Sequence, residues 1–304
     1  MSSTLTRFMS LISKLPLPFL QSLGGGLARL LLQSAHNKTL RCAQLNLNIA
    51  LPEYSAEQRQ QISKQATKNE LKSYCEFLGI WGSSTQKNLT RIHQVHGEQY
   101  FHDAIASKKG LVMVIPHFGT WEIINPWLSQ YTTLTIMYKP VKNAGADAFV
   151  KQARSREHAN LVPTDESGVK QIFRALKQGG STVILPDHSP NHKGDLVDWF
   201  GVPLYSSHLS AKLIQKTKAV ALLFYAMRNE NGGFDLYIEP IDPSIYDSQQ
   251  GTLIIHQTVE DLIRRYPEHY HWSYKRFKAN PDTHHLYNIP QQEALEIIRT
   301  IQTR

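Results

Sequence analysis

Three short stretches are almost purely apolar: LVMVI at 111–115, TVIL at 182–185 and AVALLFYAM at 219–227. A strand with one face in water alternates apolar and polar residues. LVMVI, a short continuous run without that alternation, reads as a strand covered on both faces, as in parallel sheets sandwiched between helices; TVILPD and AVALLFYAM read as further clear strands. Two weaker runs, TLTIMY and NLVPT, read as further strands. Between them lie helical patterns: from Thr120 onward, over 145–157, from Ser167 to Lys177 before the stop Gly179-Gly180, over 208–217, from Thr252 to Tyr266, and from Pro290 in the favoured first position. FDLYIEP is expected to pair back across the Asn229–Gly233 turn, which contains Asn231-Gly232-Gly233. Alternation of this kind implies an α/β fold with a mixed, mostly parallel sheet flanked by helices.

Ahead of the sheet region, Ser55 with Gln58 three residues on forms a capping-box signature. Ile62, Ala66, Leu71, Cys75 and Leu78 then recur at roughly helical spacing to about Trp81. The expected organisation is a basic apolar leader over 1–45 and one α/β domain over 46–304, with a helical part at about 55–82.

The leader is distinctive in charge. No Asp or Glu occurs from Met1 to Pro52, whereas Arg7, Lys14, Arg29, Lys38 and Arg41 do, and the whole chain carries a net charge of +8. A bilayer span needs about 20 apolar residues. The uncharged run Leu15–Ala28 is shorter and contains Pro16, Pro18 and three glycines. An N-terminal helical segment lying in an anionic membrane surface is preferred over packing on the protein's own core, a span or a cleaved signal. With 41% hydrophobic and 19% charged residues the chain is neither disordered nor polytopic. Cys42 and Cys75 lack metal-ligand spacing and read as buried thiols.

Sites in α/β sheets gather at the carboxyl ends of strands. His117, Lys139 and Asp187 each close a strand pattern, which points to one shared cleft. In VIPHFGTWE, Pro116 and Gly119 bracket a sharp exit, and Glu122 falls at the start of the next helix. The expectation is that Glu122 orients His117, leaving the other ring nitrogen free to take a proton. Asp187 could orient a neighbour or bind a sugar hydroxyl. Asp187, His188, His192 and Asp195 also invite a metal reading, but Pro190 and Gly194 break the helix that the histidine spacing would need. Lys275, Arg276 and Lys278 beside Tyr270, Trp272, Tyr274 and Phe277 form a basic knot. It is read by default as a solvated face, with anionic headgroups or an acidic carrier protein as functional contacts. No nucleic-acid fold motif accompanies it.

HFGTWE resembles the HFGNWE-type motif of the bacterial lipid A late acyltransferases. That is the His–four residues–Glu form of the wider glycerolipid acyltransferase motif, in which aspartate usually stands in the Glu position. TIMYKP resembles the family's Tyr-Arg-Pro element, with Lys139 in the arginine position. Ala153-Arg154-Ser155-Arg156 resembles its arginine element, and STVILPDHSP its strand ending in Asp-Gln, with His188 where glutamine is usual. WFGVPLYSS resembles the Phe-Phe-Gly turn, YPEHYHWSYKRFK the carboxyl-terminal block, and RCAQLNLNIALPEYS the typical start. The resemblance runs through nearly the whole chain in order.

It implies transfer of a fatty acyl group from acyl carrier protein to a hydroxyl of a lipid A precursor, without metal or cofactor. His117 would deprotonate the hydroxyl and Glu122 would stabilise the imidazolium. Arg154, favoured over Arg156, would face the oxyanion or a phosphate, and Lys139 and Asp187 would contact substrate. It also implies a glycerolipid acyltransferase-like fold, acting as a monomer at the cytoplasmic face of the inner membrane of a Gram-negative bacterium. Attachment there would be peripheral, monotopic or single-pass through the N-terminus. Alternatives are acylation of another acceptor (a lysophospholipid, a glycolipid or an amino-acid lipid), a non-catalytic lipid-binding relative, and a metal-dependent hydrolase built on Asp187 and His192.

Overall fold

The computed structural model describes residues 4–34, 37–190, 194–247, 249–280 and 282–302. Four helices come first: α1 (Thr4–Ile12), α2 (Leu17–Leu32), α3 (Lys38–Ala50) and α4 (Ala56–Gly82). Then follow α5 (Thr85–Leu89), β1 (Ile92–His96), α6 (Glu98–Ala106), β2 (Leu111–Val114), a 3-10 turn at Trp121–Ile123, α7 (Ile124–Leu128), β3 (Thr135–Met137), α8 (Ala144–Arg156) and β4 (Asn160–Val162). The second half comprises α9 (Glu166–Lys177), β5 (Ser181–Ile184), β6 (Asp195–Trp199), β7 (Val202–Ser206), α10 (Leu209–Thr217), β8 (Val220–Arg228), β9 (Phe234–Pro240), α11 (Gly251–Arg265) and α12 (Gln291–Gln302).

The apolar runs lie side by side in a five-stranded sheet of order β1-β9-β8-β2-β5. Only β8 and β9 run antiparallel; the other neighbours are parallel, so the sheet is mixed and mostly parallel as expected. Alternate residues of β2 and β8 serve opposite cores. Val112, Val114, Leu223 and Tyr225 pack with Ile214 of α10 and Val259 and Leu262 of α11. Leu111, Met113, Leu222 and Phe224 pack with Phe101 of α6, Trp127 of α7 and Phe77 and Ile80 of α4. Both faces being covered is the physical reason the runs carry no polar alternation. β1 and the β6–β7 hairpin lack such runs: the polar His93, Gln94 and His96 in β1 and the exposed Leu196 in β6 mark edge positions without a strong sequence signal.

The capping box at α4 forms as anticipated, with Ser55 Oγ accepting from the Gln58 N–H and the Gln58 side chain accepting from the Ser55 N–H. The buried face of α4 is more polar than its apolar spacing suggested: Asn69, Glu70, Ser73 and Glu76 are all buried, whereas Leu71 and Leu78 are only partly so. Arg228 at the end of β8 answers this stripe. Its Nε donates to Glu76 at 2.6 Å, and its terminal nitrogens reach the Asn69 carbonyl and Ser73 Oγ.

The expected boundary at residue 45 falls inside α3, and the preceding helices lie against the body of the protein. Leu17, Leu20, Gly24, Gly25 and Ala28 of α2 are buried. The opposite sides of α1 and α2 expose Phe8, Leu11, Phe19, Leu27 and Leu30. No single described helix is long and apolar enough to cross a membrane; α1 and α2 would be so together, but they are bent by 116°. A Cβ on Gly24 would lie 2.6 Å from Lys72 Cα and 2.8 Å from the Leu71 carbonyl oxygen, so α2 approaches the backbone of α4 directly. Gly24→Val should therefore push the helices apart and cost about 1–3 kcal/mol of stability, read as a lowered denaturation midpoint with unchanged denaturant slope.

Candidate active site

The register of the sheet builds the site. Val114 of β2 pairs with Ile184 of β5. His117 and Asp187 each lie three residues beyond that pair, at the carboxyl ends of adjacent parallel strands. Asp187 Oδ1 lies 2.9 Å from His117 Nδ1, and Oδ2 accepts the His117 backbone N–H at 3.0 Å. With the carboxylate accepting from an Nδ1–H tautomer, Nε2 keeps its lone pair, and no hydrogen-bond partner occupies it among the described residues. His117 is partly exposed (19%) and Asp187 fully buried. Burial alone would raise the Asp187 pKa; the charge and hydrogen bonds of His117, with His188 behind them, outweigh it and hold the carboxyl well below the usual range.

The loop that carries His117 is clamped from three sides. The Gly119 N–H donates to the His269 carbonyl at 2.8 Å and the His271 N–H to the His117 carbonyl at 3.1 Å, so 269–271 runs beside 117–119 like a short extra strand. The Thr120 N–H donates to Ala226 of β8. From α4, Ser73 Oγ donates to the Gly119 carbonyl, and Glu76 accepts from Thr120 Oγ1 at 2.6 Å. Gly119 has φ +57°, and a Cβ there would lie 2.0 Å from the Ala226 carbonyl oxygen, so only glycine fits.

That turn redirects Glu122. The chain enters a 3-10 turn rather than the expected helix start, and Glu122 faces the C-terminal end of α4 instead of His117. Its carboxylate accepts from Arg154 at 2.6 and 2.8 Å and from Trp81 Nε1 at 2.7 Å. The expected partnership of Glu122 with His117 is thus corrected: the carboxylate on the imidazole is Asp187, one of whose two anticipated roles was to orient a neighbour. Arg154, expected to face the oxyanion or a phosphate, is tied to Glu122 and, at 3.2 Å, to Glu157. Desolvation would lower the Arg154 pKa, but the two carboxylates raise it; burial pushes Glu157 up to about 7 despite Arg154. Arg156 donates to the Trp81 carbonyl, so both arginines converge on the corner around Trp81 and Glu122. Lys139 is exposed beyond β3, and no hydrogen bond or ion pair joins it to His117 or Asp187 among the described residues.

The basic knot divides. Lys275 and Lys278 are exposed, but Arg276 is buried, donating to the Tyr205 carbonyl and Ser206 Oγ within electrostatic reach of Asp187. Its burial corrects the reading of a wholly solvated face; nothing in the local charge pattern separates it from its two lysine neighbours. Among the described residues no group of three or more His, Cys, Asp or Glu is disposed to hold a metal ion. Asp195 is engaged by His208 and Thr252, and His192 lies outside the described residues.

Among the described residues no serine or cysteine is bonded to the His117 imidazole, whose hydrogen-bonded partner is the buried Asp187 carboxylate. The fold and site thus define an α/β protein with a His–Asp pair at the carboxyl ends of adjacent parallel strands. Residues 3–279 match the family described as bacterial lipid A biosynthesis acyltransferase, and the chain belongs to that family. It is 26% identical over 288 residues to the lipid A biosynthesis lauroyltransferase of Escherichia coli K12, covering 90% of this chain and 89% of that protein. It is 24% identical over 275 residues to the palmitoleoyltransferase of the same organism, covering 88% of each. Over 148 residues it is 24% identical to a phosphatidylinositol mannoside acyltransferase of Mycobacterium tuberculosis, covering 47% of each chain.

Asp187→Asn should lower the turnover number by about 10²–10⁴-fold, the range general acid–base assistance typically supplies. A depressed carboxyl pKa stabilises the fold above the unfolded value of 3.8 and loses that contribution as pH falls toward the folded value. The stability gap between wild type and the variant should accordingly close below about pH 4, as measured by denaturant titrations across pH.

Proposed function

We propose that the protein transfers a fatty acyl group from an acyl carrier protein thioester to a hydroxyl of a lipid A precursor. The observation that carries this reading is the His117–Asp187 pair with an open Nε2. Nε2 takes the proton of the acceptor hydroxyl while its oxygen attacks the thioester carbonyl. The tetrahedral adduct collapses with breakage of the carbon–sulfur bond, and the imidazolium returns the proton to the departing thiolate. Asp187 holds the imidazole in the Nδ1–H tautomer and stabilises its charged form. Family membership and the two Escherichia coli relatives support the acceptor class. Glu122 and Arg154 act as a buried ion pair that fixes the corner beside the base, and Arg156 ties that corner to α4.

The exposed apolar sides of α1 and α2, flanked by Arg7, Lys14 and Arg29, are read as an interfacial anchor on the cytoplasmic side of the inner membrane. Removing the leader would uncover the face of α4 that α2 covers, so outward-facing substitutions test this better than truncation. Phe8→Asp with Leu11→Asp and Leu30→Asp should leave the fold intact and abolish co-sedimentation with vesicles containing phosphatidylglycerol. Undiminished sedimentation would refute the anchor.

The transfer reaction is tested by mass spectrometry of a tetra-acylated lipid A precursor incubated with a panel of acyl carrier protein thioesters. Wild type should add the mass of one acyl group and His117→Ala should not. A phosphatidylinositol mannoside acceptor belongs in the same panel, because the mycobacterial relative is named for that substrate. Absence of any gain on the lipid A precursor, or equal gain with His117→Ala, would count against the assignment.

A further inference from the structure

The Asp187 hydrogen bond holds His117 at one ring nitrogen and leaves its plane to be fixed by something else. The His188 ring lies flat over it, with centroids 3.7 Å apart and planes within 3°. Behind His188 lies Tyr274, 3.8 Å away and inclined by 18°. Tyr274 is anchored in turn, its hydroxyl accepting the Ser189 N–H at 2.9 Å. The Trp121 ring meets His117 edge-on at 5.0 Å. The base is therefore the outermost ring of a three-ring stack founded on the carboxyl-terminal block.

We propose that His188 is a positioning residue for the base: its ring, backed by Tyr274, fixes the plane in which His117 Nε2 meets the substrate hydroxyl, and it stays neutral while His117 takes the proton. This rests on the reading of His117 as the base. An imidazolium over the face of a neutral aromatic ring is favourable. Two positive charges at stacking distance are strongly disfavoured, so a proton on one ring opposes a second on the other. The charged and titratable groups around His188 are His117 and Asp187 at the strand ends, and Tyr274, Arg276 and Lys278 from the carboxyl-terminal block. Desolvation, then the charge of His117, press His188 down to about 4, with Arg276 and Lys278 acting in the same direction and Asp187 opposing them. The proton removed from substrate is thereby directed to His117. His188 stands where glutamine is usual in the resembling motif, and a glutamine supplies no aromatic face.

The test compares the full-length wild type with His188→Phe, His188→Ala and His117→Ala. It combines kcat and KM for acyl transfer across pH with an NMR titration of the histidine ring nitrogens. His188→Phe keeps the flat ring and should hold kcat within about 2-fold, whereas His188→Ala should lower kcat about 10-fold with KM within about 2-fold. In the wild type the His188 and His269 rings should both titrate near 4; the assigned His188 step should be absent from both His188 variants and the His269 step retained, and His117 should keep its Nδ1–H tautomer. Wild-type kcat in His188→Ala, or an equal loss in His188→Phe, would overturn the positioning role. Activity retained by His117→Ala would overturn the base assignment alone, because the NMR titration of the other variants reports the coupling of the two rings without reference to catalysis.

Discussion

Asp187 keeps a negative charge at a point with no access to water, and the rest of the site depends on that charge being answered. An unpaired buried carboxylate would take up a proton. Here the His117 ring, the His117 backbone N–H and the field of buried Arg276 keep it ionised. The same contacts fix the tautomer of His117. The electrostatic solution for one residue is thus the geometric solution for the other, and Nε2 is left facing outward.

That arrangement needs a rigid floor, which α4 and the segment 269–271 provide. A helix at the edge of an α/β sheet ordinarily buries an apolar stripe. α4 instead buries Ser73 and Glu76 against the 119–120 turn, with Arg228 closing the charge balance. Breaking one member of such a buried pair typically costs about 3–5 kcal/mol, so the loop has little freedom to relax. A second buried group, Glu122 with Arg154 and Glu157, ties the 121–123 turn to α8 and, through Trp81, to α4. The two carboxylates thus have distinct partners: Asp187 bonds the His117 ring, and Glu122 bonds Arg154 and Trp81.

Much of the fold was legible in the sequence because its signals are local. The apolar runs at 111–115, 182–185 and 219–227 became three adjacent strands, and the Ser55–Gln58 capping box marked the start of α4. β1 and the β6–β7 hairpin were not legible, since edge strands need no continuous apolar run. His117 and Asp187 were both found at strand ends, but Glu122 was assigned to His117 on sequence proximity. Spacing along the chain measures direction only while the backbone conformation holds, and the positive φ at Gly119 followed by a 3-10 turn rotated Glu122 away.

The sequence by itself determined that the sheet is buried on both faces, that His117 and Asp187 terminate strands, and that the leader is basic and apolar. Each follows from residue type and periodicity within a window of a few residues. Which strands are neighbours was decided only by the tertiary structure. Parallel pairing of β2 with β5 joins segments 70 residues apart, and its register alone brings the His117 ring to 2.9 Å from Asp187. No local pattern encodes that choice, because it depends on how all the helices share the two faces of the sheet.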